Sequence, residues 1–279
     1  MKRLINRLLP KLYGTYLNML SLFSKDMAAN KAFHVFCTIR KGKVLPVQKE
    51  FLDTAKDKVH TIENHKIQSY RWQGSKETVL LVHGWESNVF RWRNLIKKLK
   101  EADFNIIAFD APGHGYSSGK YLYVPLYEKA LQSMIEIYEP KYLIGHSVGG
   151  MTIMYNQYLH PQSKVDKLVT IGAPSEFHEL MTHYENLLGL NKRVLNGLEA
   201  YIKNRFGFTF KEFSTASFAL KNTKKGILFH DSSDPITPYH NSVAVHKNWK
   251  GSQLVTTKGL GHSMHQDDVN DKIIRFLKS

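Results

Sequence analysis

The chain has 279 residues, 42% of them hydrophobic, with a net charge of +15 and one cysteine, Cys37. This length and composition fit one large α/β domain and exclude a disordered chain. An intrachain disulfide is excluded as well. A reducing compartment fits this cysteine usage without being required by it, and we expect a cytoplasmic location.

The positive charge is concentrated in two segments. Residues 1–60 hold 12 Lys and Arg against 4 Asp and Glu, and residues 191–226 hold 8 against 2. A solvated basic surface explains this distribution, and attraction to an anionic lipid or substrate is the alternative. We expect no nucleic-acid partner, because no nucleic-acid-binding motif accompanies the charge.

Residues 1–57 are predicted to form an N-terminal helical or irregular segment. Arg7, Pro10 and Lys11 interrupt the apolar residues of its first part, so it cannot span a bilayer. A helix packed on the domain, a membrane-surface helix and a signal sequence remain as alternatives. A membrane-surface helix would give peripheral membrane contact through the basic N-terminus.

From residue 58 onward, strands alternate with helices. Residues 58–62 and 66–72 alternate like a hairpin, with the turn at residues 63–65. Short apolar runs then alternate with helical patterns, which indicates a mostly parallel sheet with helices on both faces. The predicted strands lie in "TVLLVHG", "FNIIAFD", "KYLIGHS", "DKLVTIGAP", "GILFHD" and "SQLVTT".

The alternation is interrupted once. Residues 175–218 contain no strand-like run and are rich in Leu and Phe at helical spacing. We predict a sheet domain made of residues 58–174 and 219–279, with residues 175–218 as a helical insertion.

Ser147 is the first candidate for chemistry. It lies in "GHSVG", between an apolar strand pattern and a helical one, with Gly145 and Gly149 two positions away on each side. This is the G-x-S-x-G nucleophile elbow, in which small flanking residues let the chain turn sharply and present the serine. A serine nucleophile also needs a histidine base and an acid that orients it.

With this motif and the strand order, the chain from about residue 58 to the end resembles the α/β-hydrolase fold family. The resemblance implies a triad in the chain order nucleophile, acid, histidine. It assigns the acid to Asp234 in "DSSDPITP", where Asp231 stands in place of the usual glycine and is the alternative. It assigns the histidine to His262 in "GLGHSMH", with His265 as the alternative, and it makes residues 175–218 a cap over the pocket.

The family also supplies two backbone N–H groups for an oxyanion hole. The resemblance implies Val148, directly after the serine, and Trp85 in "VHGW". The sequence is HGW and not HGGG, which disfavours the lipases with a glycine-rich oxyanion loop. We expect no cofactor and no metal, because no His, Cys or Asp cluster shows metal-ligand spacing.

These residues predict an α/β-hydrolase that cleaves carboxylic esters through an acyl-enzyme. We expect a carboxylesterase or lipase-like enzyme with a small apolar acyl or aromatic ester as substrate. A thioesterase, lysophospholipase or peptidase of the same fold would use the same groups. A low-turnover small-molecule binding protein is another alternative, and a membrane-associated scaffold built on the N-terminus is a third.

Overall fold

The computed structural model describes the backbone of residues 2–279 and the side chains of residues 8–279. Its centre is an eight-stranded sheet in the order β1-β2-β4-β3-β5-β6-β7-β8. The strands are β1 Lys56–Ile62, β2 His65–Trp72, β3 Lys76–Val82, β4 Phe104–Phe109, β5 Tyr142–His146, β6 Lys167–Ile171, β7 Lys225–Asp231 and β8 Ser252–Thr257.

The predicted hairpin forms one edge of this sheet. Strands β1 and β2 are antiparallel, and β2 pairs antiparallel with β4. Glu63 and Asn64 connect β1 to β2, both with positive φ (47° and 62°), as a tight two-residue hairpin turn requires. All other neighbouring strands are parallel, so the carboxyl ends of β3 to β8 lie along one edge of the sheet.

The central strands carry apolar side chains on both faces of the sheet. Val79 and Leu81 belong to the core on one face, whereas Leu80 and Val82 belong to the core on the other. Successive side chains of a strand point to opposite faces, so a strand covered on both sides must be apolar throughout. Helices α4 and α11 close the first face, and α5, α6 and α10 close the second.

Helices occupy most of the remaining chain. A 3₁₀ turn at Val89–Trp92 precedes α4. The helices are α1 Lys2–Phe23, α2 Lys25–Cys37, α3 Pro46–Leu52, α4 Arg93–Glu101, α5 Val124–Tyr138, α6 Val148–Leu159, α7 Phe177–Leu188, α8 Lys192–Phe206, α9 Thr215–Ala219, α10 His240–Asn248 and α11 Asp267–Lys278.

The chain forms two compact units, residues 39–175 with 215–279 and residues 1–38 with 176–214. The first contains the whole sheet. The second joins α1 and α2 to α7 and α8, so the N-terminal helices and the insertion share one helical unit. The predicted division at residues 57 and 58 did not anticipate this pairing, because α1 and α2 contact segments more than 140 residues away in the chain.

The helical unit has its own packing. Tyr184 donates a hydrogen bond to the main-chain oxygen of Ala32 (2.9 Å), and Phe33 packs against Tyr201 and Phe206. Among the described residues, no helix is both long enough and apolar enough to cross a bilayer.

Candidate active site

Ser147 stands on the sharp turn between β5 and α6. Its φ is +53° and its ψ is −124°, and its N–H donates to the main-chain oxygen of Ile171 (2.8 Å). A non-glycine residue in such a conformation costs of order 1–3 kcal/mol, which the surrounding structure must offset. A Cβ on Gly149 would lie 2.2 Å from the main-chain oxygen of Val82, and one on Gly145 would lie 2.7 Å from Gly149. Both glycines are therefore required by the close crossing of backbones.

Asp234 and His262 form a pair in the loops after β7 and β8. The Nδ1 atom of His262 lies 2.7 Å from Oδ2 of Asp234, whose side chain is fully buried. The other carboxylate oxygen accepts hydrogen bonds from the N–H groups of Ile236 (2.8 Å) and Thr237 (3.0 Å). Because a carboxylate can only accept, Nδ1 carries a proton in this pair, and in the neutral tautomer of the ring Nε2 is the nitrogen with the lone pair.

Asp231, the alternative acid, has a different set of partners. Its carboxylate accepts from the N–H groups of Ser233, Gly259 and Leu260 and from the hydroxyl of Thr257, at 2.8–3.3 Å. Burial raises the pKa of this carboxyl, but these hydrogen bonds together lower it below its ordinary value. Asp231 thus anchors the loop that leads to His262.

His265, the alternative histidine, is exposed and serves the loop through its backbone. Its main-chain oxygen accepts from the amide side chains of Asn94 (3.4 Å) and Asn270 (3.3 Å). Asp234 contacts His262, so the structure pairs the two residues that the sequence assigned.

His262 lies next to the strand ends that carry Ser147. A Cβ on Gly172, directly after β6, would lie 3.2 Å from Nδ1 of His262. The ring of His146, directly before Ser147, contacts the ring of His262 with centroids 4.8 Å apart. Ser147, Asp234 and His262 therefore gather at the carboxyl ends of the parallel strands, where open α/β sheets bind ligands.

The "VHGW" loop after β3 lies against the turn that carries Ser147. A Cβ on Gly84 would lie 2.8 Å from Nδ1 of His146 and 3.0 Å from Cβ of Ser147. Trp85 follows Gly84 and is half-buried, as is Val148, the first residue of α6. The N–H of Val148 has no partner within its helix, because the first N–H groups of any helix have none.

Two buried histidines shape this loop. His83 accepts from the N–H of Ala111 (2.9 Å) at Nε2 and donates to the oxygen of Gly84 (2.8 Å) at Nδ1. His114 accepts from the N–H of Glu86 (3.0 Å) and donates to the oxygen of Pro112 (3.0 Å). Burial lowers the pKa of His114 to about 4 and holds that of His83 well below its ordinary value, so both rings are neutral at pH 7 and support the loop through hydrogen bonds.

Asp110 supports the same loop from the end of β4. Its fully buried carboxylate accepts from the N–H groups of Val89 and Tyr116 and from the hydroxyl of Tyr70, all at 3.0 Å. Burial raises its pKa. These contacts occupy both carboxylate oxygens and give Asp110 a structural role in the turn after β4.

Sequence reasoning did not single out His146. Its Nε2 donates to the main-chain oxygen of His262 (3.0 Å), and its buried Nδ1 has no partner among the described residues. Burial and, after it, the charge of Arg91 lower its pKa well below the ordinary value, so the ring is neutral. Arg91 itself donates to the oxygen of Ser263 (3.1 Å), the next residue of the same loop. The sequence held no signal for this role except the position of His146 beside Ser147.

In the part of the chain that the structure describes, no three His, Cys, Asp or Glu side chains lie together in a way that would hold a metal ion. The site described above is built from a hydroxyl, an imidazole, a carboxylate and backbone N–H groups. Such groups suit nucleophilic attack on a carbonyl carbon.

Two family models match the chain. Residues 77–197 match a model described as alpha/beta hydrolase fold, and residues 211–279 match one described as TAP-like protein. The chain belongs to the α/β-hydrolase fold family. The predicted fold class is thereby confirmed, since the mostly parallel eight-stranded sheet with helices on both faces agrees with the matched models.

Solved structures agree with this assignment. The α/β-hydrolase superposes on an esterase from Exiguobacterium antarcticum with a TM-score of 0.64 and 18% identity, covering 80% of this chain and all of that one. Mouse alpha/beta hydrolase domain-containing protein 10 gives a TM-score of 0.62 and 18% identity, covering 80% of this chain and 97% of that one. A thioesterase domain from the curacin biosynthetic pathway gives 0.59 and 14%, with 81% and 99% covered. At such identities the likeness shows the fold alone.

Curated sequence relatives of this α/β-hydrolase include pimeloyl-[acyl-carrier protein] methyl ester esterases. The protein from Vibrio vulnificus is 26% identical over 176 residues, 60% of this chain and 66% of that protein. The one from Edwardsiella ictaluri is 28% identical over 138 residues, half of this chain and 51% of that protein. The chain thus matches between about half and two thirds of the length of these relatives.

Proposed function

We propose that the protein is a serine hydrolase that cleaves carboxylic esters through an acyl-enzyme, with Ser147 as nucleophile. The observation that carries the proposal is the Asp234–His262 pair, with its carboxylate fully buried, at the strand ends that carry Ser147 on its positive-φ turn. Of the 14 histidines, His262 combines a carboxylate at Nδ1 with contact to the residue preceding the serine.

In the proposed first half-reaction, Nε2 of His262 accepts the hydroxyl proton of Ser147 as Oγ attacks the carbonyl carbon. Asp234 holds the imidazole with Nδ1 protonated and stabilises the imidazolium that forms. The proton then passes from Nε2 to the leaving oxygen, the C–O bond breaks, and an acyl ester remains on Ser147. Water attacks this ester with the same base, which releases the acid and restores the serine.

The proposed oxyanion hole consists of the N–H groups of Trp85 and Val148. The close approach of Gly84 to Ser147 supports this role for the Trp85 loop. The position of Val148 at the first turn of α6 supports the second donor, because the helix dipole favours negative charge there. Removing one such donor from a hydrolase site costs about 10²- to 10³-fold in rate.

The substrate class is proposed from the chemistry and from the names of the relatives. A methyl ester esterase among the sequence relatives supports an ester with a small leaving alcohol, and a thioesterase domain among the structures makes a thioester the nearest alternative. We expect a small apolar acyl or aromatic ester. Other expectations from the sequence stay predictions. These are lysophospholipase or peptidase activity, low-turnover ligand binding, a cytoplasmic location and the role of residues 175–218 as a cap.

Hydrolysis of p-nitrophenyl acetate, butyrate, octanoate and palmitate by wild type and Ser147→Ala tests the proposal. We expect turnover of at least one ester by wild type and none above background by the variant. Ser133→Ala is the matched control, because that serine is only partly buried on α5 and its hydroxyl bonds within its own helix (3.0 Å to the oxygen of Lys129). It should keep full activity.

Labelling with a fluorophosphonate separates the nucleophile from the substrate class. Labelling of Ser147 without turnover of any p-nitrophenyl ester would support Ser147 as the nucleophile but exclude simple esters as substrates. Acyl thioesters would then be tested. Folded protein that shows neither turnover nor labelling would overturn the hydrolase proposal in favour of the binding protein.

A further inference from the structure

Helix α1 presents its large apolar side chains to solvent. Leu12 is 66% exposed and Phe23 is 86% exposed, and Leu8, Tyr16 and Met19 are about half exposed. The spacing of these five residues, three or four apart, places them on one side of the helix. We call Leu8, Leu12, Tyr16, Met19 and Phe23 the outward face of α1.

The opposite side of α1 is the one that packs, through one large apolar residue and two small ones. Gly14, Leu17 and Ser21 are buried, and a Cβ on Gly14 would lie 1.8 Å from the main-chain oxygen of Leu188. An ordinary surface helix buries its large apolar side chains and exposes polar ones. Helix α1 instead buries Leu17 and leaves most of its large apolar side chains in solvent.

Hydrogen bonds hold α1 in this orientation within the helical unit. The amide of Asn18 donates to the oxygen of Gly189 (2.8 Å) and accepts from the N–H of Asn191 (2.8 Å). Lys11 donates to the oxygen of Asn186 (2.8 Å). Turning the outward face inward would break all three bonds and would bring a large side chain to the place where only Gly14 fits. A contiguous exposed apolar surface held in this way marks an interaction site.

Charge identifies the partner. Residues 1–23 contain four basic residues and no acidic one, within a segment, residues 1–60, that has a net charge of +8. A second copy of this helix would bring like charges together, which disfavours self-association. An anionic lipid surface offers both an apolar layer and opposite charge.

We propose that α1 is an interfacial helix whose outward face inserts into the surface of an anionic bilayer. Tyr16 suits the boundary between headgroups and acyl chains, where Tyr and Trp are enriched, and Phe23 suits the apolar face of an interfacial helix. The 22 residues of α1 extend about 33 Å, enough to lie along the surface. The proposal does not depend on the chemistry proposed for Ser147.

Cosedimentation of the full chain with lipid vesicles tests the proposal. Vesicles containing phosphatidylserine are compared with pure phosphatidylcholine, at low and high salt. We expect binding to the anionic vesicles, weakened by salt. The triple variant Leu12→Gln/Tyr16→Gln/Phe23→Gln should need at least about tenfold more lipid for half-maximal binding, because the apolar contribution is lost.

The control variant Val47→Gln/Ile137→Gln/Leu220→Gln removes three exposed apolar side chains from outside α1 and should bind like wild type. Circular dichroism and melting temperatures confirm that both variants fold. Wild type that stays in the supernatant with anionic vesicles would overturn the proposal, as would equal binding by the α1 variant. A wild-type dimer that the α1 variant converts to a monomer, without lipid binding, would assign the face to self-association instead.

Discussion

The ring of His146 contacts the ring of His262, and its Nε2 lies 3.0 Å from the main-chain oxygen of the same residue. One neutral histidine thus holds both the ring and the backbone of the histidine that pairs with Asp234. Since His146 directly precedes Ser147, this contact links the serine turn to the histidine loop. If His262 is the base, its distance from Ser147 depends on His146.

Replacement of His146 by Leu is expected to lower kcat by about 10- to 100-fold with little change in KM, because the base moves while the pocket is kept. His146→Gln retains a donor near the position of Nε2 and should recover part of the loss. Steady-state kinetics on a p-nitrophenyl ester measure both. A rise in KM alone, or equal losses in the Leu and Gln variants, would contradict a positioning role.

Asp234→Asn and Asp231→Asn are expected to separate chemistry from stability. Asp234→Asn should lower kcat by roughly 10³- to 10⁴-fold, because the amide favours the wrong histidine tautomer. Asp231→Asn should mainly lower the melting temperature, because its carboxylate accepts three backbone N–H bonds from the loops after β7 and β8, and losing such bonds costs about 2 kcal/mol or more. The opposite pattern would identify Asp231 as the acid.

Stability is expected to fall as the pH drops from about 7 toward 4. Burial lowers the pKa of His114 from 6.5 to about 4. Between these values the unfolded chain takes up a proton that the folded chain does not, so the free energy of unfolding decreases with falling pH, by up to about 3 kcal/mol for this group. His83 and His146 act in the same direction.

Urea unfolding across this pH range measures the effect. His114→Gln should lower stability at pH 7 yet reduce the slope against pH, because one of the titrating groups is gone. Slopes that are equal in wild type and the variant would show that His114 does not contribute.

Gly84→Ala is expected to reduce activity more than stability. The added methyl group would lie 2.8 Å from Nδ1 of His146 and 3.0 Å from Cβ of Ser147, so the serine turn or the Trp85 loop must shift. Gly197→Ala is the matched control, because its methyl group would meet the flexible side chain of Lys25, at 3.0 Å. Ester turnover and melting temperature are measured for both variants. Unimpaired turnover by Gly84→Ala would show that the added methyl group does not displace the serine turn or the Trp85 loop.

Cys37 provides a probe of the helical unit. It is fully buried at the end of α2, and burial raises the pKa of its thiol well above the ordinary value. We expect a thiol reagent to modify native protein slowly and unfolded protein at once. Fast modification of the native protein would show that the helical unit opens readily.

The sequence was sufficient for the sheet domain because its signals are local. Continuous apolar runs identified the buried strands, and the G-x-S-x-G spacing located the turn at Ser147, since only small residues permit so close a crossing. The short α3 and the 3₁₀ turn at Val89–Trp92 were missed, because elements of one or two turns carry too little periodicity to be recognised.

The candidate site was only partly readable. Chain order and the family resemblance selected Asp234 and His262, but the residues themselves could not exclude Asp231 or His265. The structure separates the two aspartates by their contacts. Both accept backbone N–H bonds, but Asp234 also accepts from the imidazole of His262. The role of His146 could not be predicted from the sequence, because it depends on a main-chain carbonyl 116 residues away.

By itself the sequence determined the order of strands and helices and the position of the serine turn, because these depend on hydrophobic periodicity and on backbone sterics within a few residues. Only the tertiary structure decided which aspartate meets which histidine and that α1 packs through Gly14 and Leu17 with most of its large side chains outward. Those outcomes depend on contacts between distant segments of the chain. In a helix with apolar residues on several sides, such as α1, the pattern alone does not determine which side is buried.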